Sequence, residues 1–376
     1  MYNYIPLEQA ADILDSYRKP VNNKERLNLI KGKPLDELFP YYGATGQVGW
    51  IDSFLTDGEY ILLGEDGAPF LNPYAEKAYI IYGKTWVNNH AHILRSKTNN
   101  EFLCYYLNYF NYKNYVSGTT RLKLTQAQMR KIPIPNIPSD EQFRIVARIE
   151  ELFSELDKAV DTLKTTKEQL EVYRQAVLKD AFSKVSQYAP LGNVATPRLG
   201  KMLDKQKNTG TPKKYLRNIN VRWFSFDLAD LQEMKIEETE FEKYTIKKDD
   251  LVICEGGEPG RCAVWDKNET IYFQKALHRV RFTVESEPRL YMYYIWFMTN
   301  TGALNEFYTG TGIKHLTGQS LEKVLVPVID IKTQQKLLAS IELRLSICDS
   351  IEKTVDTALA QADAMRQSIL KQAFEG

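Results

Sequence analysis

Two segments of the chain, VYRQAVLKDAF at 172–182 and AMRQSILKQAF at 364–374, agree at six positions. Arg174, Gln175, Leu178, Lys179, Ala181 and Phe182 recur as Arg366, Gln367, Leu370, Lys371, Ala373 and Phe374, each pair separated by 192 (366 − 174). The same offset, without a gap, pairs Lys131 with Lys323, Pro135 with Pro327, Gln142 with Gln334, Ile149 with Ile341 and Asp157 with Asp349. A chain of two similar halves implies an approximate internal two-fold, suited to gripping two objects or one object at two places. With 376 residues, each half is long enough to bury its own core.

Each half divides again. A globular part comes first (1–138 and 186–330), rich in aromatic residues, Gly and Asn. Short apolar runs such as Tyr60–Leu63 and Leu251–Ile253 are bounded by turn signals, including Asp57-Gly58, Asp66-Gly67 and Gly256-Gly257. This reads as mixed, β-rich α/β (α+β) structure. A hinge follows, IPIPNIPSDEQ in one half and VPVIDIKTQQ in the other, and then a long helix (139–185 and 331–376). Ser139 is read as an N-cap, with Gln142 at capping-box spacing. Ile145, Ile149, Leu152, Leu156, Ala159, Leu163, Thr166, Leu170, Tyr173 and Val177 recur at alternating steps of four and three. The equivalents are Leu337, Ile341, Arg344, Cys348, Ile351, Val355, Ala358, Ala362, Met365 and Ile369, with Leu345 beside the exceptional Arg344. Such a repeat over about five heptads specifies a coiled-coil seam. About 43 residues at this rise make a rod of roughly 65 Å. The expected fold is therefore two globular domains and two long helices that pair with each other. The plainer alternative makes these core helices of one compact domain.

No run of about 18 apolar residues suggests a membrane span, and MYNYIPLEQAADIL lacks the pattern of a signal peptide. Cys104, Cys254, Cys262 and Cys348 form no CxxC pair, which favours reduced thiols in a cytoplasm over a zinc site. Catalytic signatures are fragmentary. Gly83-Lys84-Thr85 resembles the end of a P-loop, but Ala78 stands where the first glycine is required. Asn72-Pro73-Tyr74 lacks the second proline of the amino-methyltransferase motif and reads as a turn. Asp227, Glu233 and Lys235 are spaced too tightly for a nuclease site. His90 and His92 lack a third ligand. No catalytic residue, metal or cofactor is expected on this chain.

Local charge is more informative than the net +1. Arg18, Lys19, Lys24, Arg26, Lys31 and Lys33 face only Glu25. Arg198, Lys201, Lys205, Lys207, Lys213, Lys214, Arg217 and Arg222 face only Asp204. A local basic excess is what phosphate neutralisation requires, although a solvated loop has the same composition. SGTTRLKLT (117–125) and TGTGIKHLT (309–317) form a second pair, with glycines for close approach and groups that bond phosphates or base edges. VNNHAHIL (87–94) and FQKALHRV (273–280) align His92 with His278 and carry Asn, Gln, His and Lys of the base-reading kind. They serve equally well as ordinary strand and loop positions. Glu65 and Glu255 also correspond and read as turn anchors. PYYGATGQVGWID (40–52) has no visible counterpart in the second half. The candidate DNA-contacting residues are Lys31, Asn88, Asn89, His90, Thr119, Thr120, Arg121 and Lys123 in the first domain. In the second they are Lys205, Lys207, Lys213, Lys214, Arg217, Gln274, Lys275, Thr311, Lys314 and His315.

Several segments carry a resemblance to the specificity subunits of type I restriction–modification systems. They are PYYGATGQVGWID, ILLGEDGA, VNNHAHIL, RLKLTQAQMRKIPIPNIPSDEQFRIVARIEELFSELDKAV and VYRQAVLKDAF, with IKHLTGQSLEKVLVPV and MRQSILKQAFEG in the second half. The resemblance implies two target-recognition domains, each reading one half of an interrupted site in double-stranded DNA. It implies an antiparallel coiled coil that holds them apart and docks two modification (methyltransferase) subunits, with a restriction (translocase–endonuclease) subunit completing the complex. S-adenosylmethionine, ATP and Mg then belong to partners, and the location is cytoplasmic. The closely matched segments ending at Phe182 and Phe374 are expected to be helical frame and docking surface. A coiled-coil adaptor whose globular parts bind protein is the competing reading.

Overall fold

The computed structural model describes residues 3–204, 208–310 and 312–375. It comprises two compact units, Met1–Thr165 with Val355–Gly376, and Thr166–Thr354. The first contains a four-stranded antiparallel sheet in the order Ala11–Ile13, Ala91–Ser96, Tyr60–Gly64, Ala78–Ile81. Its second sheet runs Gly46–Ile51, Phe39–Gly43, Lys84–Val87, Thr56–Asp57, the middle two strands being parallel. The other unit repeats this plan. One sheet runs Ala195–Leu199, Leu277–Phe282, Leu251–Cys254, Cys262–Val264. The other runs Gln232–Ile236, Thr211–Leu216, Ile271–Phe273, Thr245–Ile246, again with a parallel middle pair. The apolar runs seen in the sequence, Tyr60–Leu63 and Leu251–Ile253, lie in the fully buried inner strands Tyr60–Gly64 and Leu251–Cys254. Burial on both faces accounts for their unbroken hydrophobicity.

PYYGATGQVGWID does have a structural counterpart. Phe39–Gly43 occupies the sheet position of Thr211–Leu216, since each pairs in parallel with the equivalent strand. The residues differ, and the pairing of Phe39–Gly43 carries a register shift between Tyr41 and Tyr42. The proline-rich hinges are also not hinges. Pro133–Pro135 and Leu325–Pro327 are strands, paired with Tyr4–Pro6 and Tyr188–Pro190. Ile134 and Val326 are buried there.

The helices Ser139–Ser183 and Ile331–Glu375 are both continuous over 45 residues. They run antiparallel, as pairings inside each unit establish. Asp157 bonds Arg366 in the first, while in the second Lys167 reaches Glu352, Arg174 reaches Asp349 and Asp180 reaches Arg344. Eight of the twenty expected seam positions are buried: Ile149, Leu156, Leu170 and Val177, with Ile341, Cys348, Val355 and Ala362. The alternate positions lie one residue later than the apolar spacing suggested. Leu345 is buried and Arg344 is not, Arg174 is buried while Tyr173 is half exposed, and Ile351 and Met365 are exposed. Apolar residues occupy both phases at 145/146 and 337/338, so hydrophobicity did not choose between them. Charge pairing across the seam at Arg174 is consistent with the later phase. Gln142 forms no capping box. It is buried, donates to the Ile137 carbonyl at 2.8 Å and accepts from Thr98 Oγ1 at 2.8 Å. Gln334 likewise donates to Ile329 O and accepts from the Glu287 amide.

The duplicated motif turns its phenylalanine inward as an anchor, while Val172, Tyr173 and Met365 of the same segments stay exposed. In the first unit Phe374 sits among Phe102, Tyr106 and Tyr109, ring centroids 5.2–5.5 Å away. Those rings lie on the helix Asn100–Tyr109, which Asn99 caps by accepting from the Phe102 amide. In the second, Phe182 packs on Tyr294 at 4.9 Å and Phe297 at 5.7 Å, on the helix Pro288–Thr301. Burying each such ring contributes about 1.5–3 kcal/mol. No helix among the described residues is long and apolar enough to cross a membrane.

Candidate nucleic-acid interface

Each unit presents one loop built to the same design. Ser117 and Lys123 exchange both backbone hydrogen bonds, leaving Thr119, Thr120 and Arg121 at an exposed tip. Thr309 and His315 do the same in the other unit. Gly118 has φ +97°, and a Cβ there would meet the Arg121 carbonyl oxygen at 2.3 Å. Gly310, at φ +95°, would meet that of Ile313 at 2.4 Å. Glycine is therefore required at both. A buried histidine ties each loop to its sheet: His92 Nε2 donates to Leu124 O at 3.0 Å and His278 Nε2 to Leu316 O at 2.8 Å. The amides of Leu124 and Leu316 donate to the carbonyls of Glu65 and Glu255, so these glutamates are turn anchors. The aligned histidines are thus pins and not readers.

The surroundings of the two pins differ. Asp15 Oδ2 lies 2.8 Å from His92 Nδ1 and also accepts from Gln126 Nε2 at 2.7 Å. Burial pushes the Asp15 carboxyl up, but its bonds to His92, Gln126 and the Ile93 amide outweigh this and hold it below the usual carboxylate value. Among the described residues His278 has no such partner at Nδ1. Burial pushes its pKa down, against the opposing pull of the Leu316 carbonyl.

Four separated sequence segments meet beside the first loop. Gly43-Ala44-Thr45, Asp66-Gly67-Ala68, Asn88 with His90, and Thr120-Arg121-Leu122 line an open cleft of about 660 Å3. Asp66 Oδ1 holds Arg121 Nε at 2.7 Å and Asp66 Oδ2 lies 3.5 Å from His90 Nδ1. Glu65 approaches Lys123 Nζ at 3.3 Å. Both cations remain exposed, and such surface pairs are weak enough to be exchanged for a ligand. Sequence reasoning brought Asn88, His90, Thr120 and Arg121 together here but missed Asp66, whose signal was the ILLGEDG turn. Asn88 is not freely presented: it is buried and its Oδ1 accepts from the His90 amide. Asn89, Thr119 and Lys31 are exposed.

The basic segments are less available than their composition suggested. Arg18 pairs with Asp15 and Glu65, Arg26 donates to the Trp50 carbonyl, and Lys33 pairs with Asp52. Arg217 is tied to Asp230 at 2.6 Å, and Lys201 is buried against Glu240. Lys213 lies over the Phe241 ring and Lys314 over that of Tyr308, while Lys214 and Lys275 are exposed. Gln274 is held by its backbone, donating to the Leu216 carbonyl, and the His315 ring faces Gly256. Lys205, Lys207 and Thr311 lie outside the described residues.

Comparison with known proteins gives a consistent answer. The family described as the type I restriction modification DNA specificity domain matches twice, at residues 9–172 and 191–360. The chain is 29% identical over 371 residues to a Haemophilus influenzae protein provisionally named type I restriction enzyme specificity subunit S.HindORF215P. That alignment covers 95% of this chain and 91% of the relative. Among solved structures it is similar to a chain from work on complex assembly and conformational transition of the type I R-M system, with TM-score 0.72, 14% identity, and 99% and 97% of the two chains covered. It is also similar to the HsdS subunit of Thermoanaerobacter tengcongensis, with TM-score 0.59, 15% identity, and 100% and 97% covered.

Proposed function

The chain belongs to the type I restriction–modification DNA specificity family, and from that premise we propose that it is the sequence-specific DNA-binding subunit of such a complex, without a catalytic site of its own. The carrying observation is the pair of pinned loops. One scaffold is used twice, each time with a buried histidine holding a glycine-hinged loop, yet the residues around the two loops differ. A repeated frame with unlike faces suits the reading of two different half-sites.

In this reading the chain docks two methyltransferase subunits and a restriction subunit, and S-adenosylmethionine, ATP and Mg act on those partners. Arg121, Lys123, Thr119, Thr120, Asn89, His90 and Lys31 in one unit and Lys214, Lys275, Lys314 and His315 in the other are proposed DNA contacts, with a cytoplasmic setting. The test is co-expression with the methyltransferase partner followed by single-molecule methylation sequencing. A two-part methylated motif that disappears without this chain is the expected result. Salt-dependent DNA binding by the assembled complex separates this reading from a protein-binding adaptor, for which DNA affinity would be absent.

A further inference from the structure

The loop and turn that meet in the first unit carry a polar trio that the shared frame does not need. Asp66 Oδ1 lies 2.7 Å from Arg121 Nε, and Asp66 Oδ2 lies 3.5 Å from His90 Nδ1. Backbone pairing brings them together. The Gly67 amide donates to Leu122 O at 2.9 Å, and the Leu124 amide to Glu65 O at 2.8 Å. Matching bonds identify the equivalents in the second unit. The Glu65 amide donates to His90 O, and the Glu255 amide to Ala276 O. Ser117 bridges Lys123 just as Thr309 bridges His315. Gly256, Ala276 and Ile313 therefore stand where Asp66, His90 and Arg121 stand. The second loop keeps its glycine, its histidine pin and its backbone closure without any of the three. The trio is thus no part of what holds such a loop in shape.

Its geometry suits a directional task. Asp66 meets the guanidinium at Nε, and among the described residues Nη1 and Nη2 make no hydrogen bond. The guanidinium lies against Gly67, where a Cβ would come within 3.1 Å of Nε. The Arg121 side chain is still 60% exposed, so the free end of the fork is open to a ligand. A planar fork of this kind bonds O6 and N7 of guanine together in the major groove. Charge favours a base edge over a phosphate. Asp66 and Glu65 meet Arg121 and Lys123 one for one. The local excess of positive charge that phosphate neutralisation requires is missing.

Resting on the function proposed above, we propose that Arg121 reads one guanine in the half-site met by the first unit, and that Asp66 positions it by holding Nε. The second unit, with Ile313 in that place, makes no equivalent contact.

The test uses the chain assembled with its methyltransferase partner, and a duplex carrying the two-part motif found by methylation sequencing. Each guanine of the motif is replaced singly by 7-deazaguanine, which lacks the N7 acceptor. At one guanine the wild type should lose roughly fivefold or more in affinity, while Arg121→Ala is indifferent to the same replacement. Asp66→Ala should show that indifference at the same guanine and keep wild-type discrimination at every other position. Combining Asp66→Ala with Arg121→Ala should bind no more weakly than Arg121→Ala alone. Additive losses would make Asp66 merely structural and overturn its positioning role. If no guanine distinguishes Arg121→Ala from the wild type, or if that variant binds every duplex uniformly more weakly, Arg121 is not a guanine reader. A wild-type complex that yields no two-part motif overturns the proposed function, and this inference with it, which keeps the two failures apart.

Discussion

His92 and His278 occupy equivalent places, and the alignment of their segments was enough to pair them. Their role was not legible, because the carbonyls they hold, Leu124 and Leu316, lie 32 and 38 residues further along the chain. Composition misled in the same way over the basic segments, where Arg18, Arg26 and Arg217 turned out to be tied within the fold. Lys77 was invisible altogether. It is only 2% exposed and its ammonium reaches two carbonyls, Pro73 O at 3.2 Å and Asn108 O at 3.4 Å. Burial pulls its pKa down to about 8. Between that value and the ordinary lysine value the unfolded chain binds more protons than the folded one, so stability rises with pH across this window. Chemical denaturation at pH 7.5 and 9.5 should show the wild type gaining on the order of 2 kcal/mol relative to Lys77→Met. An unchanged difference would mean the ammonium is already well solvated. Truncating a motif anchor, Phe182→Ala, should cost about 3–5 kcal/mol in the same assay.

At the scale of elements, the long helices and the buried strands were the most legible features, since period and unbroken hydrophobicity survive any detail of packing. The phase of the seam was not. Apolar residues stand at both of two adjacent positions at Ile145/Val146 and Leu337/Leu338, and the cross-seam pairing of Arg174 with Asp349 and Glu352 accompanies the later phase. Substitution separates the two phases. Leu345→Ala should destabilise by about 2–4 kcal/mol, whereas Tyr173→Lys should stay within about 0.5 kcal/mol, both read by thermal denaturation. The reverse ranking would restore the phase through Tyr173 and Arg344. The hinge segments were misread because proline signals the end of a helix more loudly than the edge of a two-stranded ribbon, where it is equally at home.

For the molecule as a whole, the sequence offset carried the architecture but not the sites. The candidate cleft needs four segments between Gly43 and Leu122, and only folding brings them together. Two unlike loops on one plan predict separable readout. Arg121→Ala should relax one position in one half of the methylated motif and leave the other half untouched, as methylation sequencing would record. Loss of both halves together would indicate a folding defect or a shared contact. Removing one heptad from each long helix should shorten the unread spacer, and an unaltered spacer would detach helix length from site geometry. The docking of Phe374 on Phe102 has a temporal consequence. The two are 272 residues apart (374 − 102). At roughly 5–20 residues per second, a ribosome needs about 15 to 50 s to make the plug after the socket. During synthesis the apolar socket of Phe102, Tyr106 and Tyr109 is therefore open. It offers chaperones a binding place and marks any nascent chain in which the last heptads have not yet emerged.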